Sequence, residues 1–86
     1  MTVHIPTALQ SYTAQRSEVQ AEGVSLAGML VALDQRYPGI RFRVITEQDV
    51  IRPHIRIFVN DEQARDLSRA LRPDDDIHII CALSGG

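Results

Sequence analysis

The chain has 86 residues, of which 44% are hydrophobic and 23% charged, and its formal net charge is −2. This composition fits one small globular domain and offers no basic surface of the kind that binds nucleic acid or an anionic membrane. No apolar run approaches the roughly 20 residues that span a bilayer, and the N-terminus does not resemble a secretory signal. We therefore expect a cytoplasmic protein that has neither nucleic acid nor membrane as a partner, and the single Cys81 fits such a reducing compartment.

The first part of the chain predicts a β-hairpin. Residues 2–6 alternate, with Val3 and Ile5 on one face, and this pattern is typical of a short strand that ends at Pro6. Residues 10–15 are mostly polar and predict a turn. Residues 17–22 alternate weakly and predict the second strand of the hairpin.

A helix follows, and its start and end are both marked in the sequence. Ser25 is a favourable N-cap because its hydroxyl can accept a free backbone N–H, and Val24 and Met29 have the spacing of a hydrophobic staple. Pro38-Gly39 ends the helix. The helix carries one apolar stripe at three- and four-residue spacing, formed by Leu26, Met29, Leu30, Leu33 and Tyr37.

The second part of the chain predicts the remaining strands. Residues 40–53 are irregular and are interpreted as a connection with a short strand or turn. Residues 55–59 alternate strongly and predict a strand, and residues 60–62 have turn chemistry. A short strand or turn near residues 63–66 and an acidic turn over residues 73–76 precede the last strand, which we place at residues 77–82.

This order of elements predicts an α+β fold, because one amphipathic helix must bury its stripe on one face of a sheet. We expect a ubiquitin-like β-grasp with a mixed sheet of four to five strands packed on one main helix. The folded domain should cover residues 1–82. Residues 83–86 should form a flexible C-terminal tail, since Gly85 and Gly86 have no side chains and follow the last strand closely.

The chain resembles the ubiquitin-like sulfur carrier proteins (ThiS/MoaD-like), which include the small subunit of molybdopterin synthase. The resemblance runs nearly end to end, and within the family the chain looks most like the carrier that serves a cysteine synthase. It rests on the Val3-His4-Ile5-Pro6-Thr7 opening, the Arg36-Tyr37-Pro38-Gly39-Ile40 helix exit, the Val59-Asn60-Asp61-Glu62 turn, the acidic turn before the last strand, and the terminal Gly85-Gly86.

The resemblance implies that the reactive group is the C-terminal carboxylate of Gly86. An E1-like adenylyltransferase would activate this carboxylate with ATP and magnesium, and sulfur transfer would convert it to a thiocarboxylate for a sulfur-accepting synthase. Leu83, Ser84 and Gly85 would present the reactive end, and a metallo-hydrolase is a further partner that could trim such a tail. On this interpretation the domain is a protein cosubstrate with no bound cofactor rather than an enzyme, although it would count as an enzyme subunit within molybdopterin synthase.

Four side chains are predicted to form a partner-binding patch. If Ile57 and Ile79 face the helix, then Phe58 and Ile80 point to the opposite side of the sheet as an apolar patch. Arg56 and His78 would lie at its rim.

A metal site is not expected. His4, His54 and His78 are far apart along the chain and show no ligand spacing with Cys81. The acidic run before the last strand is interpreted as a solvated turn, and Cys81 as a structural thiol.

Two other functions remain open at this point. The same tail would serve a protein modifier joined through Gly86 to other proteins, although copies of this chain cannot be linked to one another through isopeptide bonds because it contains no lysine. A β-grasp interaction domain with inert glycines is the second alternative. The sequence does not identify the pathway that receives the sulfur, nor the oligomeric state.

Overall fold

The computed structural model describes residues 1–82 and contains five strands, two α-helices and one 3-10 helix. These elements are β1 (Thr2–His4), the 3-10 helix (Thr7–Thr13), β2 (Glu18–Gln20), α1 (Leu26–Arg36), α2 (Arg41–Val44), β3 (Ile55–Val59), β4 (Glu62–Ala64) and β5 (Asp76–Cys81). The strands form one sheet in the order β2-β1-β5-β3-β4. Strands β1 and β5 are parallel, and the other neighbouring pairs are antiparallel. The predicted β-grasp fold is therefore confirmed.

The core lies between one face of the sheet and α1. Ile57 and Ile79 form a directly opposed pair on β3 and β5, and both are buried. They meet the apolar stripe of the helix, as the alternation in these strands predicts. The residues of the core with no exposed surface are Val3, Leu26, Met29, Leu30, Leu33, Ile40, Val44, Ile45, Ile57 and Ile77.

Helix α1 begins where the sequence predicts. Ser25 is the N-cap, and its hydroxyl accepts the backbone N–H of Gly28 at 3.2 Å. The predicted staple is wrong, because Val24 is 84% exposed while Met29 is fully buried. Gly23, two residues before the N-cap, instead packs closely on the first turn of the helix, because a Cβ added there would lie 2.5 Å from the backbone nitrogen of Met29.

The connection between α1 and β3 differs from its prediction. Residues 41–44 form the short helix α2, and a single bridge pairs Ile45 with Ile51. The carboxylate of Asp34 accepts the backbone N–H groups of Gly39 and Arg41, both at 3.0 Å, and so holds the start of α2. Four residues are too few to show a helical period, which is why the sequence pattern did not reveal this helix.

Other boundaries shift by a few residues. Strand β2 is shorter than the predicted residues 17–22, and β5 begins at Asp76 rather than at Ile77. A 3-10 helix covers much of the segment predicted as a turn at residues 10–15, and the turn follows it, with Ala14 and Gln15 at positive φ. Within residues 1–82, no helix combines the length and apolar character needed to cross a membrane.

Candidate functional site: the outer sheet face and the end of strand β5

The four residues predicted to bind a partner lie together on the face of the sheet opposite α1. In the antiparallel pairing of β3 with β5, Arg56 is opposite Ile80 and Phe58 is opposite His78. These two adjacent cross-strand pairs form a block of four neighbouring positions, because every second residue of a strand points to the same face. We call this block the outer patch.

The outer patch has an apolar centre open to solvent. Ile80 is 45% exposed, and Phe58 and His78 are half-buried. These three side chains line a shallow depression together with Asn60 and Asp61 at the turn between β3 and β4. An exposed isoleucine beside an aromatic ring, with polar groups at the edge, has the composition of a protein-binding surface.

Arg56 contributes less to this patch than the sequence suggested. Its guanidinium donates hydrogen bonds to the backbone carbonyls of Pro53 at 2.6 Å and Ile55 at 3.1 Å. The charged group is therefore held at the start of β3, although Arg56 is itself the cross-strand partner of Ile80. Of the two predicted rim residues, His78 is the one that lines the depression.

The described chain leaves the sheet at the end of β5. Cys81 pairs with Ile55, and the backbone N–H of Ala82 donates to the carbonyl of His54 at 2.6 Å. This hydrogen bond ties the last described residue to the segment before β3, two residues beyond Ile80 of the outer patch. The predicted tail residues Leu83, Ser84, Gly85 and Gly86 lie outside the described residues.

A group of arginines lies near this exit, and the sequence interpretation did not single it out. Arg52, Arg56 and Arg65 line one shallow groove between the start of β3 and the end of β4. Arg52 and Arg65 come from irregular segments, so their proximity depends on the pairing of β3 with β4. A cluster of positive charge beside the chain exit favours the approach of acidic groups on a partner.

A second polar cluster, formed by His4, Asp76 and His78, lies on the outer face of the sheet and was not predicted from the sequence. The imidazole rings of His4 and His78 stack with their centroids 4.1 Å apart and an interplanar angle of 5°. His4 and His78 are far apart along the chain, but the parallel pairing of β1 with β5 places them directly opposite each other. Hydrogen bonds, chiefly with His4, lower the pKa of the Asp76 carboxyl below its ordinary value.

Cys81 has the surroundings of a structural thiol. It is half-buried and packs against the hydrophobic core at the end of β5. The described residues therefore place a partly exposed apolar patch on the sheet beside the point where the chain leaves β5. A surface of this composition can bind a partner protein.

Comparisons with known proteins agree with this architecture. The sulfur carrier protein CysO of Mycobacterium tuberculosis is 33% identical to this chain over an alignment of 91 positions. The alignment covers all of this chain and 98% of CysO. The crystal structure of that protein, described as an antigen, has a TM-score of 0.90 with this chain at 30% identity and covers 95% of this chain and 98% of its own.

Two further proteins are similar. A crystal structure of an Amycolatopsis orientalis BexX/CysO complex contains a chain with a TM-score of 0.90 and 30% identity, and the match covers 99% of this chain and 98% of that one. The molybdopterin synthase sulfur carrier subunit of Phaeosphaeria nodorum is 29% identical over 79 residues, which cover 92% of this chain and 82% of the subunit.

A protein-family model also matches nearly the whole chain. The model of the ThiS family matches residues 3–86, from the first strand to the final glycine. With a fold that superimposes on CysO along nearly its whole length, the chain belongs to the ThiS family.

Proposed function

We propose that this protein is a sulfur carrier that delivers sulfur as a thiocarboxylate on Gly86. The observation that supports the proposal most directly is the family match, which extends through the terminal Gly-Gly. The similarity to CysO over the whole chain supports it further, since that relative is named as a sulfur carrier protein. The carrier is a cosubstrate of other enzymes, and its own side chains perform no acid or base step.

The chemistry requires activation by a second protein. A carboxylate is a poor electrophile because its negative charge repels nucleophiles and its oxygen is a poor leaving group. An E1-like adenylyltransferase that uses ATP and magnesium joins the Gly86 carboxylate to AMP and releases pyrophosphate. Attack by sulfide or a persulfide sulfur then expels AMP; with a persulfide, the S–S bond must also be reduced to release the thiocarboxylate.

The body of the domain supplies recognition. The outer patch is the surface that binds the activating enzyme and the sulfur-accepting synthase in turn, and the arginine groove assists docking of acidic surfaces. Four residues follow Ala82, and a fully extended segment of that length spans at most about 14 Å. The reactive sites of both partners must therefore lie within this distance of Ala82 when the domain is bound.

A reconstitution experiment tests the proposal. The purified protein is incubated with the matching activating enzyme, ATP, magnesium and sulfide, and the mass of the intact chain is measured. We expect a gain equal to the replacement of one oxygen by sulfur, located at the C-terminus by fragmentation. Location is needed because oxidation of Met1, Met29 or Cys81 adds nearly the same mass.

Two variants make this experiment specific. Deletion of Gly85 and Gly86 should abolish the mass gain while leaving the fold unchanged. Gly86→Ala keeps a terminal carboxylate but adds a Cβ, and it should react far more slowly if the activating site closes tightly around the tail. A truncated chain that gains sulfur as fast as the full chain would contradict the proposal.

For the sulfur acceptor, we propose a cysteine synthase. The similarity to CysO is higher and more complete than the similarity to the molybdopterin synthase subunit. The thiocarboxylated protein is incubated with a cysteine synthase or a molybdopterin synthase large subunit and the matching acceptor substrate. Sulfur transfer by a cysteine synthase leaves the new cysteine joined to the Gly86 carbonyl, so cysteine is measured after hydrolysis of that bond; with the other enzyme, molybdopterin is measured. If only the molybdopterin synthase turns over, the acceptor is that enzyme and not a cysteine synthase. Covalent conjugates of the chain with other proteins would favour the modifier function.

A further inference from the structure

The cluster of His4, Asp76 and His78 has the composition of a metal site. The Nε2 atom of His4 lies 2.7 Å from Oδ1 of Asp76, and the Nε2 atom of His78 lies 2.9 Å from Oδ2 of the same carboxylate. Two imidazoles thus point their Nε2 atoms at one carboxylate from adjacent strands. Two imidazoles and one carboxylate are ligands that zinc accepts in proteins.

The sheet geometry holds this set in place. His4 and His78 are directly paired between β1 and β5, and Asp76 lies two residues before His78 on the same face of β5. All three side chains are half-buried, which limits their freedom without closing them off from solvent. The cluster therefore stands on regular backbone, which positions ligands more rigidly than loops do.

Each of the three side chains brings one ligand atom into the same small region. The three ligand atoms lie within 4.8 Å of one another. Two ligand atoms of a tetrahedral zinc ion at bond lengths of about 2.1 Å are about 3.4 Å apart. Binding of an ion would therefore require these partly exposed side chains to rotate until their ligand atoms reach this spacing.

A further carboxylate stands behind one of the rings. Oε1 of Glu18, on β2, lies 3.6 Å from Nδ1 of His4. Ligating histidines commonly donate their second ring N–H to a carboxylate, which fixes the tautomer and frees the other nitrogen for the metal. Glu18 is exposed, and rotation of its side chain toward Nδ1 would give His4 this arrangement.

We propose that His4, Asp76 and His78 form a binding site for a divalent transition-metal ion of the zinc class on the outer face of the sheet. The proposal is independent of the proposed function. Three protein ligands leave at least one coordination position for water or for a group supplied by a partner. His78 also lines the depression of the outer patch, so a bound ion stands at the edge of the predicted partner-binding surface.

Titration of the protein with Zn²⁺ tests this site. Calorimetry should show saturable binding of one ion per chain, and the ¹⁵N resonances of the His4 and His78 imidazoles should report coordination through Nε2. Loss of a direct ligand should cost at least as much as loss of an outer-shell partner, so H4Q and H78Q should each weaken binding by about 100-fold or more. E18Q should weaken binding by about tenfold.

Matched controls separate this site from other zinc ligands. H54Q and C81S remove the other histidine and the thiol, and both should keep the affinity of the unmodified chain. Thermal unfolding without metal shows whether each variant is folded, and D76N provides a third ligand variant if H4Q does not fold. Absence of saturable binding to the unmodified chain, or equal affinity in folded H4Q and H78Q, would overturn the proposal.

Discussion

Two isoleucines, Ile57 and Ile80, lie close together on opposite faces of the sheet. Their substitution by alanine tests which face stabilises the fold and which face binds partners. Ile57 has no exposed surface and lies in the central part of the core. Ile80 lies on the neighbouring strand, one residue beyond the partner of Ile57, and is 45% exposed on the outer patch. Substitution to alanine removes the same three carbon atoms at both positions.

The expected losses of stability differ severalfold. Three buried carbon groups at about 0.8 kcal/mol each contribute about 2.4 kcal/mol. A residual cavity adds roughly 1 kcal/mol, so Ile57→Ala should cost about 3.5 kcal/mol. Ile80→Ala leaves no cavity and removes only partly buried surface, so it should cost at most about 1 kcal/mol.

Denaturant unfolding followed by circular dichroism measures both values. A domain of this length has a total unfolding free energy of about 4–13 kcal/mol, so Ile57→Ala removes a large share of it. Its melting temperature should fall by roughly 20 °C, against a few degrees for Ile80→Ala. In the reconstituted sulfur-transfer assay, run where both variants are folded, Ile80→Ala should be the slower of the two.

The opposite outcome would refute this assignment of faces. Equal losses of stability would mean that both side chains are buried to the same extent and that the outer patch is covered. A folded Ile80→Ala variant that reacts with both partners at the normal rate would remove Ile80 from the binding surface.

Other predictions concern the helix entry and the acidic turn. Gly23→Ala should destabilise the protein by about 1–3 kcal/mol in denaturant unfolding, because the new Cβ meets the Met29 backbone. In the control, Gly28→Ala, the new Cβ makes only ordinary van der Waals contacts within α1, and the protein should gain about 0.5–1 kcal/mol of stability. A loss of equal size at both positions would show that the loss at Gly23 does not depend on its close approach to Met29. The backbone N–H of Arg72 and an asparagine amide lower the pKa of Asp75. The ionised Asp75 therefore stabilises the fold fully above its unfolded-state pKa of about 4, and this stabilisation is lost as the pH falls through the lower pKa of the folded state. In Asp75→Asn, the free energy of unfolding should change less with pH over this range.

Local sequence patterns determined much of the architecture. The alternation in β3 and β5 assigned Ile57 and Ile79 to the core and Phe58 and Ile80 to the outer face, and the structure shows this division. The start of α1 followed from its N-cap, and its end from Pro38-Gly39. These features depend on residues a few positions apart, so a periodic pattern or a capping side chain is enough to reveal them.

Only the tertiary structure decided which distant residues meet. His4 and Asp76 are separated by 72 positions, and they interact because β1 and β5 pair in parallel with one particular register. A shift of that register by one residue would turn His4 to the other face, and no local pattern specifies the register between distant strands. The sequence by itself therefore determined the fold class, the outward residues of β3 and β5, and the family resemblance, which several motifs along the chain and the Gly-Gly end carry together. The polar cluster on the outer face depends on strand pairing, which is set by packing of the whole chain.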